Sequence, residues 1–283
     1  MKGKKKIVIF AMALCLLSVF ALIVFGNQAL VCSTYILQSK SLTKEADGFR
    51  IAQVSDLHNT AFGKNNGRLL SLLKEAEPDI IVITGDMIDS YGDMTEARRT
   101  EIALRFAEEA MKIAPCYYVA GNHEARISSY GEFKKALEER GVIVLENERE
   151  MLTFGGESIT LIGIDDPLFQ MGDAAEITEQ KLQALTREED GYTILLSHRP
   201  DLFDVYAASG VNLVFAGHVH GGQFRLPFVG GLYAPNQGLL PEYDSGLYTS
   251  GNTDMLVSRG LGNSSFPIRF NNRPEVILVE LRY

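Results

Sequence analysis

Apolar and polar positions divide the chain into one long apolar run near the N-terminus and a series of short segments beyond residue 48. The long run covers residues 7–25 and contains no charged side chain. Among the short segments, continuous β-branched runs such as DIIVIT at 79–84 are typical of strands buried on both faces. They alternate with segments such as 95–113, whose apolar residues recur at helical spacing. This alternation predicts an α/β domain with helices outside stacked sheets.

The same pattern assigns a type to most of the short segments. Strands are predicted at residues 50–54, 79–84, 116–120, 158–164, 192–197, 211–216, 255–258 and 276–281. Helices are predicted at residues 66–75, 95–113, 130–140, 176–186 and 201–208. Residues 224–251 are rich in Gly, Pro and Tyr and are expected to form irregular loops with short strands.

The long apolar run is predicted to cross a membrane. Its 19 residues would span about 28 Å as a helix, close to the thickness of the hydrocarbon core. The lysine-rich residues 2–6 precede it and favour a cytoplasmic N-terminus, which puts the rest of the chain on the outer side. The stretch after Phe25 reads GNQALVCS and offers only weak candidates for signal cleavage. We therefore expect a single-pass anchor in the cell membrane, with secretion after cleavage as the alternative.

These features predict the domain organisation and exclude some functions. Residues 1–6 form a basic cytoplasmic N-terminus, 7–25 a transmembrane signal anchor, 26–48 a linker and 49–283 one catalytic domain. Residues 1–40 hold five lysines and no acidic residue, so the remaining 22 basic and 36 acidic side chains carry a net charge of −14. Such an acidic domain repels polyphosphate backbones, and we expect no general nucleic-acid binding. With three cysteines in the whole chain, a disulfide scaffold is excluded.

All five histidines follow directly on predicted strand ends. They occur in the segments SDLH (55–58), GNHE (121–124), LLSH (195–198) and GHVH (217–220), and TGD (84–86) adds a carboxylate in the same setting. Loops at the carboxyl edge of a sheet are where α/β proteins place their sites. We therefore expect these side chains to meet at one site.

The residue types in these segments are those of a metal site. Carboxylates are offered by Asp56 and Asp86, an amide oxygen by Asn122, and ring nitrogens by His58, His198, His218 and His220. Mixed nitrogen and oxygen ligands suit Mn²⁺, Zn²⁺ or Fe and disfavour an all-oxygen calcium site. Since a carboxylate can bridge with its two oxygens, Asp86 is the candidate bridge between two ions. Two ions about 3.5–4 Å apart would hold a bridging hydroxide and polarise a phosphoryl oxygen.

The order D-x-H, GD, GNHE, single His and GHxH resembles the calcineurin-like metallophosphoesterases over about residues 49–283. The segments GGQFRLP (221–227), GLY (246–248) and SRGLG (258–262) resemble a bacterial membrane-associated or exported, phosphodiesterase-like subgroup. The resemblance implies a four-layer α/β/β/α sandwich with a dinuclear metal centre between its sheets. In this chain, one N-terminal transmembrane helix is expected to precede the sandwich.

The resemblance also implies a role for each residue of the motifs. Asp56, His58, Asp86 and His220 would bind one ion, and Asp86, Asn122, His198 and His218 the other. His123 would not be a ligand but would stabilise the transferring phosphoryl group or protonate the leaving alkoxide. Asp89, in GDMID, is placed to orient His123, with a surface or capping acid as the alternative. Asn59 stands where Gly or Leu is frequent in the family, and we expect it to change the rim of the pocket without loss of metal.

The resulting prediction is a phosphoesterase in which a hydroxide bridging two divalent ions attacks the phosphorus. Mn²⁺ is favoured, with Zn²⁺ or Fe as alternatives, and phosphodiesters are slightly favoured because no cap domain of obvious size would close the site. The alternatives are a phosphomonoesterase of the same mechanism, a metallohydrolase of a non-phosphate substrate and a non-catalytic metal-binding scaffold. Because the domain would face outward from a membrane, the expected substrate is a lipid-linked or cell-envelope phosphate such as a nucleotide-sugar lipid.

Overall fold

Two six-stranded sheets lie face to face in the part of the chain that the structure describes. The computed structural model describes residues 2–91, 94–187, 191–263 and 266–283. The helices are Lys2–Gln28 (α1), Gly67–Ala76 (α2), Glu96–Ala110 (α3), Tyr130–Glu138 (α4), Ala174–Leu185 (α5) and Phe203–Ala208 (α6). The strands are Val31–Gln38 (β1), Arg50–Val54 (β2), Ile80–Thr84 (β3), Cys116–Val119 (β4), Ile143–Val144 (β5), Glu148–Phe154 (β6), Glu157–Gly163 (β7), Thr193–Leu196 (β8), Leu213–Ala216 (β9), Arg225–Leu226 (β10), Gly230–Gly231 (β11), Tyr233–Ala234 (β12), Gly238–Leu239 (β13), Gly246–Ser250 (β14), Thr253–Val257 (β15) and Glu275–Arg282 (β16).

The strand order places the ends of several strands along one edge. The first sheet has the order β1-β16-β2-β3-β4-β5, and the second has the order β14-β15-β9-β8-β7-β6. Strands β2 to β5 are parallel to one another, β16 is antiparallel to β2, and β1 is parallel to β16. The edge at which β2, β3 and β4 end is therefore also the edge at which β16 and β1 begin.

Alternation of side chains along the strands builds three apolar layers. In β3, Ile81 and Ile83 pack with the helices α2, α3 and α4, whereas Ile80 and Val82 pack between the two sheets. The outer face of the second sheet packs against residues of α5 and α6 in the same way. Because both faces of these strands are buried, their sequences are continuously apolar. The predicted four-layer α/β/β/α sandwich is confirmed.

Strands β1 and β6 have no counterpart among the predicted strands. Both lie at the outer edges of their sheets, and both have exposed positions among their side chains. Edge strands lack the fully apolar pattern by which the central strands are found. Strand β1 lies within the predicted linker 26–48, so much of that segment is part of the first sheet. The limits predicted for the anchor, the linker and the catalytic domain stay a prediction.

Helix α1 covers the predicted transmembrane run and extends beyond it. The most apolar 18-residue window within residues 4–28 has a mean hydropathy of 3.1, and the helix is long and apolar enough to cross a membrane. Only two residues separate the end of α1 from β1. Arg273 donates hydrogen bonds to the carbonyls of Ala29 and Leu30 across this junction, and its guanidinium lies 5.5 Å from the ring of Phe25. The helix is thus joined to the sandwich through a short, hydrogen-bonded connection.

Candidate metal centre

The candidate ligands lie at the carboxyl ends of strands from both sheets, and all of them are buried. They are Asp56 and His58 after β2, Asp86 after β3, Asn122 after β4, His198 after β8, and His218 and His220 after β9. Since β2 to β4 belong to the first sheet and β8 and β9 to the second, the residues meet where the two sheets face each other. The structure brings together every ligand named from the sequence.

The first group of donors comes from the D-x-H segment and the last histidine. The Nε2 atoms of His58 and His220 are 3.1 Å apart. Asp56 Oδ1 lies 3.5 Å from His220 Nε2 and 3.9 Å from His58 Nε2. Asp86 Oδ2 lies 3.5 Å from His58 Nε2. Two carboxylates and two ring nitrogens therefore converge on one point.

The second group contains the same oxygen of Asp86. Its Oδ2 lies 3.2 Å from His198 Nε2. The same nitrogen is 3.2 Å from Asn122 Oδ1 and 3.3 Å from His218 Nδ1. Asp86 Oδ2 thus stands between the two groups of donors, the position that a bridging carboxylate requires.

The ionisation of the cluster suits metal binding. Burial lowers the pKa of His58 and His218, so both rings are neutral at pH 7. Burial alone would raise the pKa of Asp86, but the charge of His198, a hydrogen bond to His198 and the other nearby histidines together hold that pKa well below its usual value. Burial alone would lower the pKa of His198, but the charge of Asp86, a hydrogen bond to it and the charges of two further aspartates together raise that pKa to about 10. Neutral imidazoles and ionised carboxylates ligate metals, so divalent cations fit this cluster, and binding would displace the proton of His198.

Backbone carbonyls fix which ring nitrogen faces the site. His198 Nδ1 lies 2.7 Å from the carbonyl of Thr84, and His220 Nδ1 lies 3.2 Å from the carbonyl of Gly262. A carbonyl accepts only from a protonated nitrogen, which places the proton of each neutral ring on Nδ1. The Nε2 atoms are then the ones free to ligate.

The loops that carry the ligands adopt left-handed backbone conformations. The φ angle is 52° at Asp56, 43° at His58, 52° at Asp86, 72° at His218 and 48° at His220. Residues other than glycine rarely adopt these angles, and they persist only where the surrounding structure imposes them. One constraint is the hydrogen bond from the backbone N–H of His58 to the carbonyl of Asp86, at 3.0 Å. The candidate ligands are therefore held in place by the fold.

Two glycines allow the loops to approach the carboxylates. A Cβ atom at Gly121 would collide with the carboxylate of Asp86. A Cβ atom at Gly217 would collide with Ser55 and with the carboxylate of Asp56. The glycines at the start of GNHE and GHVH are thus needed for close packing around the candidate ligands.

His123 lies beside the donors with its two nitrogens in different surroundings. Its Nε2 is 3.9 Å from Asp86 Oδ2. Its Nδ1 accepts a hydrogen bond from the backbone N–H of Ser90 at 2.9 Å and lies 3.3 Å from Asp89 Oδ1. Burial alone would lower the pKa of His123, but the contact with Asp89 and the charges of Asp86 and Glu124 raise it. In the neutral ring, the hydrogen bond from Ser90 requires an unprotonated Nδ1, so the proton lies on Nε2. In the doubly protonated ring, which Asp89 stabilises, Nε2 also carries a proton.

Glu124 is a buried carboxylate to which the sequence analysis gave no role. Its side chain accepts hydrogen bonds from the backbone N–H groups of Asp86, Ile88 and Gly121 at 2.8–3.1 Å. Burial and the charge of Asp86 raise the pKa of Glu124 to about 7. Glu124 therefore ties the loop after β3 to the loop after β4. The sequence feature that could have indicated a role for Glu124 is its place in the segment GNHE, directly after His123.

Asn59 and Arg269 are further buried residues behind the site. Asn59 Oδ1 accepts from the backbone N–H of Asp89 at 2.8 Å, so it supports the segment that faces His123, and its effect on the pocket rim stays a prediction. Arg269 donates to the carbonyl of Arg259 at 2.8 Å, and its guanidinium lies 3.5 Å from His220 Nδ1. Nothing in the sequence distinguished Arg269 from a surface arginine.

A cavity of about 340 Å³ opens over the candidate centre. Besides candidate site residues, its lining includes Tyr91, Arg126, Arg199, Gln223, Tyr233 and Phe266. Arg199 follows His198 and forms a two-point ion pair with the buried Asp166, at 2.6 and 3.0 Å. The charge of Arg199 is thus balanced by Asp166. Arg126, which contacts the carbonyl of Asn122 and the ring of Tyr91, adds a guanidinium to the lining that suits an anionic substrate.

Asp166→Ala is expected to lower the free energy of unfolding by about 3–5 kcal/mol, because it leaves the charge of Arg199 buried without its partner. Thermal unfolding of the full chain in detergent, followed by circular dichroism, measures the effect. Asp173→Ala is the matched control, since it removes only the N-cap of α5 and should cost about 1 kcal/mol. Equal melting temperatures for the two variants would contradict the importance of the ion pair.

Comparison with known proteins gives consistent matches. A family model described as Calcineurin-like phosphoesterase matches residues 49–222, which include every candidate ligand. The uncharacterized metallophosphoesterase YkuE of Bacillus subtilis is 30% identical over 251 residues, covering 88% of this chain and 84% of its own. Phosphodiesterase YaeI of Escherichia coli is 28% identical over 242 residues, covering 82% of each chain. A transmembrane protein with metallophosphoesterase domain from Danio rerio is 28% identical over 257 residues, covering 86% of this chain and 55% of its own.

Proposed function

The chain belongs to the calcineurin-like phosphoesterase family and is a phosphoric ester hydrolase, and from this premise we propose that it cleaves phosphodiesters at the cluster around Asp86. The family implies a dinuclear divalent metal centre. The observation that carries the proposal is the position of Asp86 Oδ2, which lies within 3.5 Å of His58 Nε2 and 3.2 Å of His198 Nε2. One carboxylate oxygen is thus shared by two sets of donors.

We propose that Asp56, His58, Asp86 and His220 hold one ion and that Asp86, Asn122, His198 and His218 hold the other. Each set would combine nitrogen with oxygen, and Mn²⁺ is our first choice, with Zn²⁺ or Fe as alternatives. The proposal is supported by the convergence of these atoms and by the neutral state of His58 and His218.

The residues of this chain would have distinct tasks in the reaction. When bound, the two cations supply an activated water and neutralise charge on the phosphoryl group. His123, with its proton on Nε2, would stabilise the phosphoryl group or protonate the leaving oxygen, and Asp89 would orient its ring and raise its pKa. Arg126, which lines the cavity, would attract the phosphate.

The preference for diesters is supported by the small size of the segments beside the site. The residues described between β9 and β14 form two hairpins of two-residue strands and add no separate cap domain. An uncovered site admits a phosphorus atom with two substituents. The name of the Escherichia coli relative, a phosphodiesterase, supports the same preference.

We also propose that α1 is a single-pass anchor with the catalytic domain on the outer side of the cell membrane. Its apolar side chains are exposed, and its lysine-rich start favours a cytoplasmic N-terminus. A substrate attached to the membrane or cell envelope, such as a nucleotide-sugar lipid, suits this location.

Metal replacement in the purified full chain tests the proposed function. We expect EDTA to abolish hydrolysis of bis-p-nitrophenyl phosphate and Mn²⁺ to restore it, because the ligands hold the ions that drive the reaction. p-Nitrophenyl phosphate, the monoester with the same leaving group, should react more slowly. Faster monoester turnover would overturn the diester preference. Failure of the chain to bind any divalent metal would overturn the proposed site.

A further inference from the structure

The proposed anchor joins the sandwich at the edge that carries the site. Strand β1 is paired in parallel with β16 from Val31 and Glu275 onward, and β16 is antiparallel to β2. Val31 therefore lies at the edge where β2 ends and where Asp56 follows. Because two residues separate α1 from β1, the end of a membrane-spanning α1 holds this edge close to the membrane surface.

The loops of this edge expose apolar side chains. Leu226, Phe228, Val229, Leu239, Leu240 and Phe270 form what we call the apolar rim. Phe228 is fully exposed, Leu239 is 80% exposed and Leu240 is 62% exposed. Residues 226–241 contain no charged residue, although residues 41–283 carry a net charge of −14. An exposed, uncharged, apolar tract of this kind marks a contact with an apolar partner.

Hydrogen bonds connect the anchor, the cavity wall and the segment that carries Phe270 of the apolar rim. Asn263 donates a hydrogen bond to Asn27 of α1 at 2.6 Å. Gln223, which lines the cavity, donates to Asn263 at 3.1 Å and to the carbonyl of Phe266 at 2.7 Å. The backbone N–H of Arg225 donates to the carbonyl of Phe270 at 3.0 Å. Hydrogen bonds therefore link the anchor to the cavity wall, and Phe270 of the apolar rim is bonded to the strand that follows this wall.

We propose that the apolar rim inserts into the outer surface of the lipid bilayer and that the substrate is a phosphodiester with one hydrocarbon-bearing substituent embedded in that bilayer. The inference rests on the proposed phosphodiesterase function and on α1 as an anchor. Side chains such as Phe228 gain free energy by leaving water for the acyl boundary, and the absence of charge in residues 226–241 removes the cost of burying ions there. A bilayer is the occupant because α1 brings it to this edge.

Fluorescence measures the insertion independently of catalysis. The chain contains no tryptophan, so Phe228→Trp introduces a single probe. Tyr283→Trp is the control, because this exposed aromatic lies past the end of β16, roughly 26 Å of strand from the site edge. In liposomes with brominated acyl chains, we expect strong quenching for the full chain with Phe228→Trp and none with Tyr283→Trp. An unquenched Phe228→Trp would overturn the insertion.

A pair of esters with the same p-nitrophenyl leaving group tests the substrate class. One carries a diacylglycerol in the liposome membrane, and the other carries a methyl group and is soluble. With Mn²⁺, Phe228→Glu should lower turnover of the lipid ester at least about tenfold and change turnover of the soluble ester less than about twofold. Tyr283→Glu should change neither. Equal effects of Phe228→Glu on both esters would overturn the inference, whereas a wild-type chain that hydrolyses neither would overturn the proposed function itself.

Discussion

Asp86→Ala is expected to lower kcat/KM for bis-p-nitrophenyl phosphate by at least about 10³-fold and to remove bound metal. The carboxylate is the one group that stands between the two sets of donors, within 3.5 Å of His58 Nε2 and 3.2 Å of His198 Nε2. Without it, the remaining histidine nitrogens keep a single nearby carboxylate, Asp56. Steady-state kinetics and metal analysis of the purified full chain measure the two effects.

The control for this variant is Asp204→Ala, which removes an exposed aspartate from α6. It should retain both activity and metal. Because Asp86 Oδ1 also accepts a hydrogen bond from the backbone N–H of His123, circular dichroism of Asp86→Ala must show an intact fold. Asp86→Asn, which keeps the size of the side chain, serves as a second variant. Wild-type activity in folded Asp86→Ala would contradict the bridging role.

His123→Ala is expected to lower kcat by about 10²–10⁴-fold while the metal content stays unchanged. The reason is that His123 Nε2 lies beside the donors, 3.9 Å from Asp86 Oδ2, and is not a proposed ligand. Loss of activity with full metal content therefore separates this variant from Asp86→Ala. Metal analysis and kinetics on the same preparations make the comparison.

The leaving group of the ester distinguishes two roles for His123. A p-nitrophenolate leaves without a proton, whereas an alkoxide needs one, so a proton donor matters more for the alkyl ester. If His123 is the proton donor, His123→Ala should lose more activity on a phosphodiester whose leaving group is methoxide than on bis-p-nitrophenyl phosphate. Equal losses would assign it to stabilising the phosphoryl group, and a loss of metal would contradict both roles.

Much of the fold was predictable because the central strands are buried on both sides. Runs such as the one in β3 are continuously apolar, and the helices carry apolar residues at helical spacing. The site was predictable for a related reason, since each motif stands where a buried strand ends. Residues far apart in sequence, such as His58 and His220, meet because their strands end at one edge.

The residues that escaped prediction act through contacts that leave no local pattern. Strand β1 is recognisable only through its partner β16, 244 residues away. Glu124 accepts from the backbone of a different loop, and Arg269 lies against His220, which is 49 residues away in the sequence. The left-handed φ angles at candidate ligands such as Asp56 and His218 are likewise imposed by surrounding loops. Such features depend on tertiary structure and not on residue type.

The position of β16 determines when the protein can fold during its synthesis. The eight residues of β16 lie between β1 and β2, yet they are translated after every other strand of both sheets. Until they leave the ribosome, β1 has no neighbour and β2 lacks one of its two. The first sheet is therefore completed only after the strands β1 to β15 have been synthesised. A chain that stops before β16 would carry every candidate ligand of the metal centre and still lack the strand that joins β1 to β2.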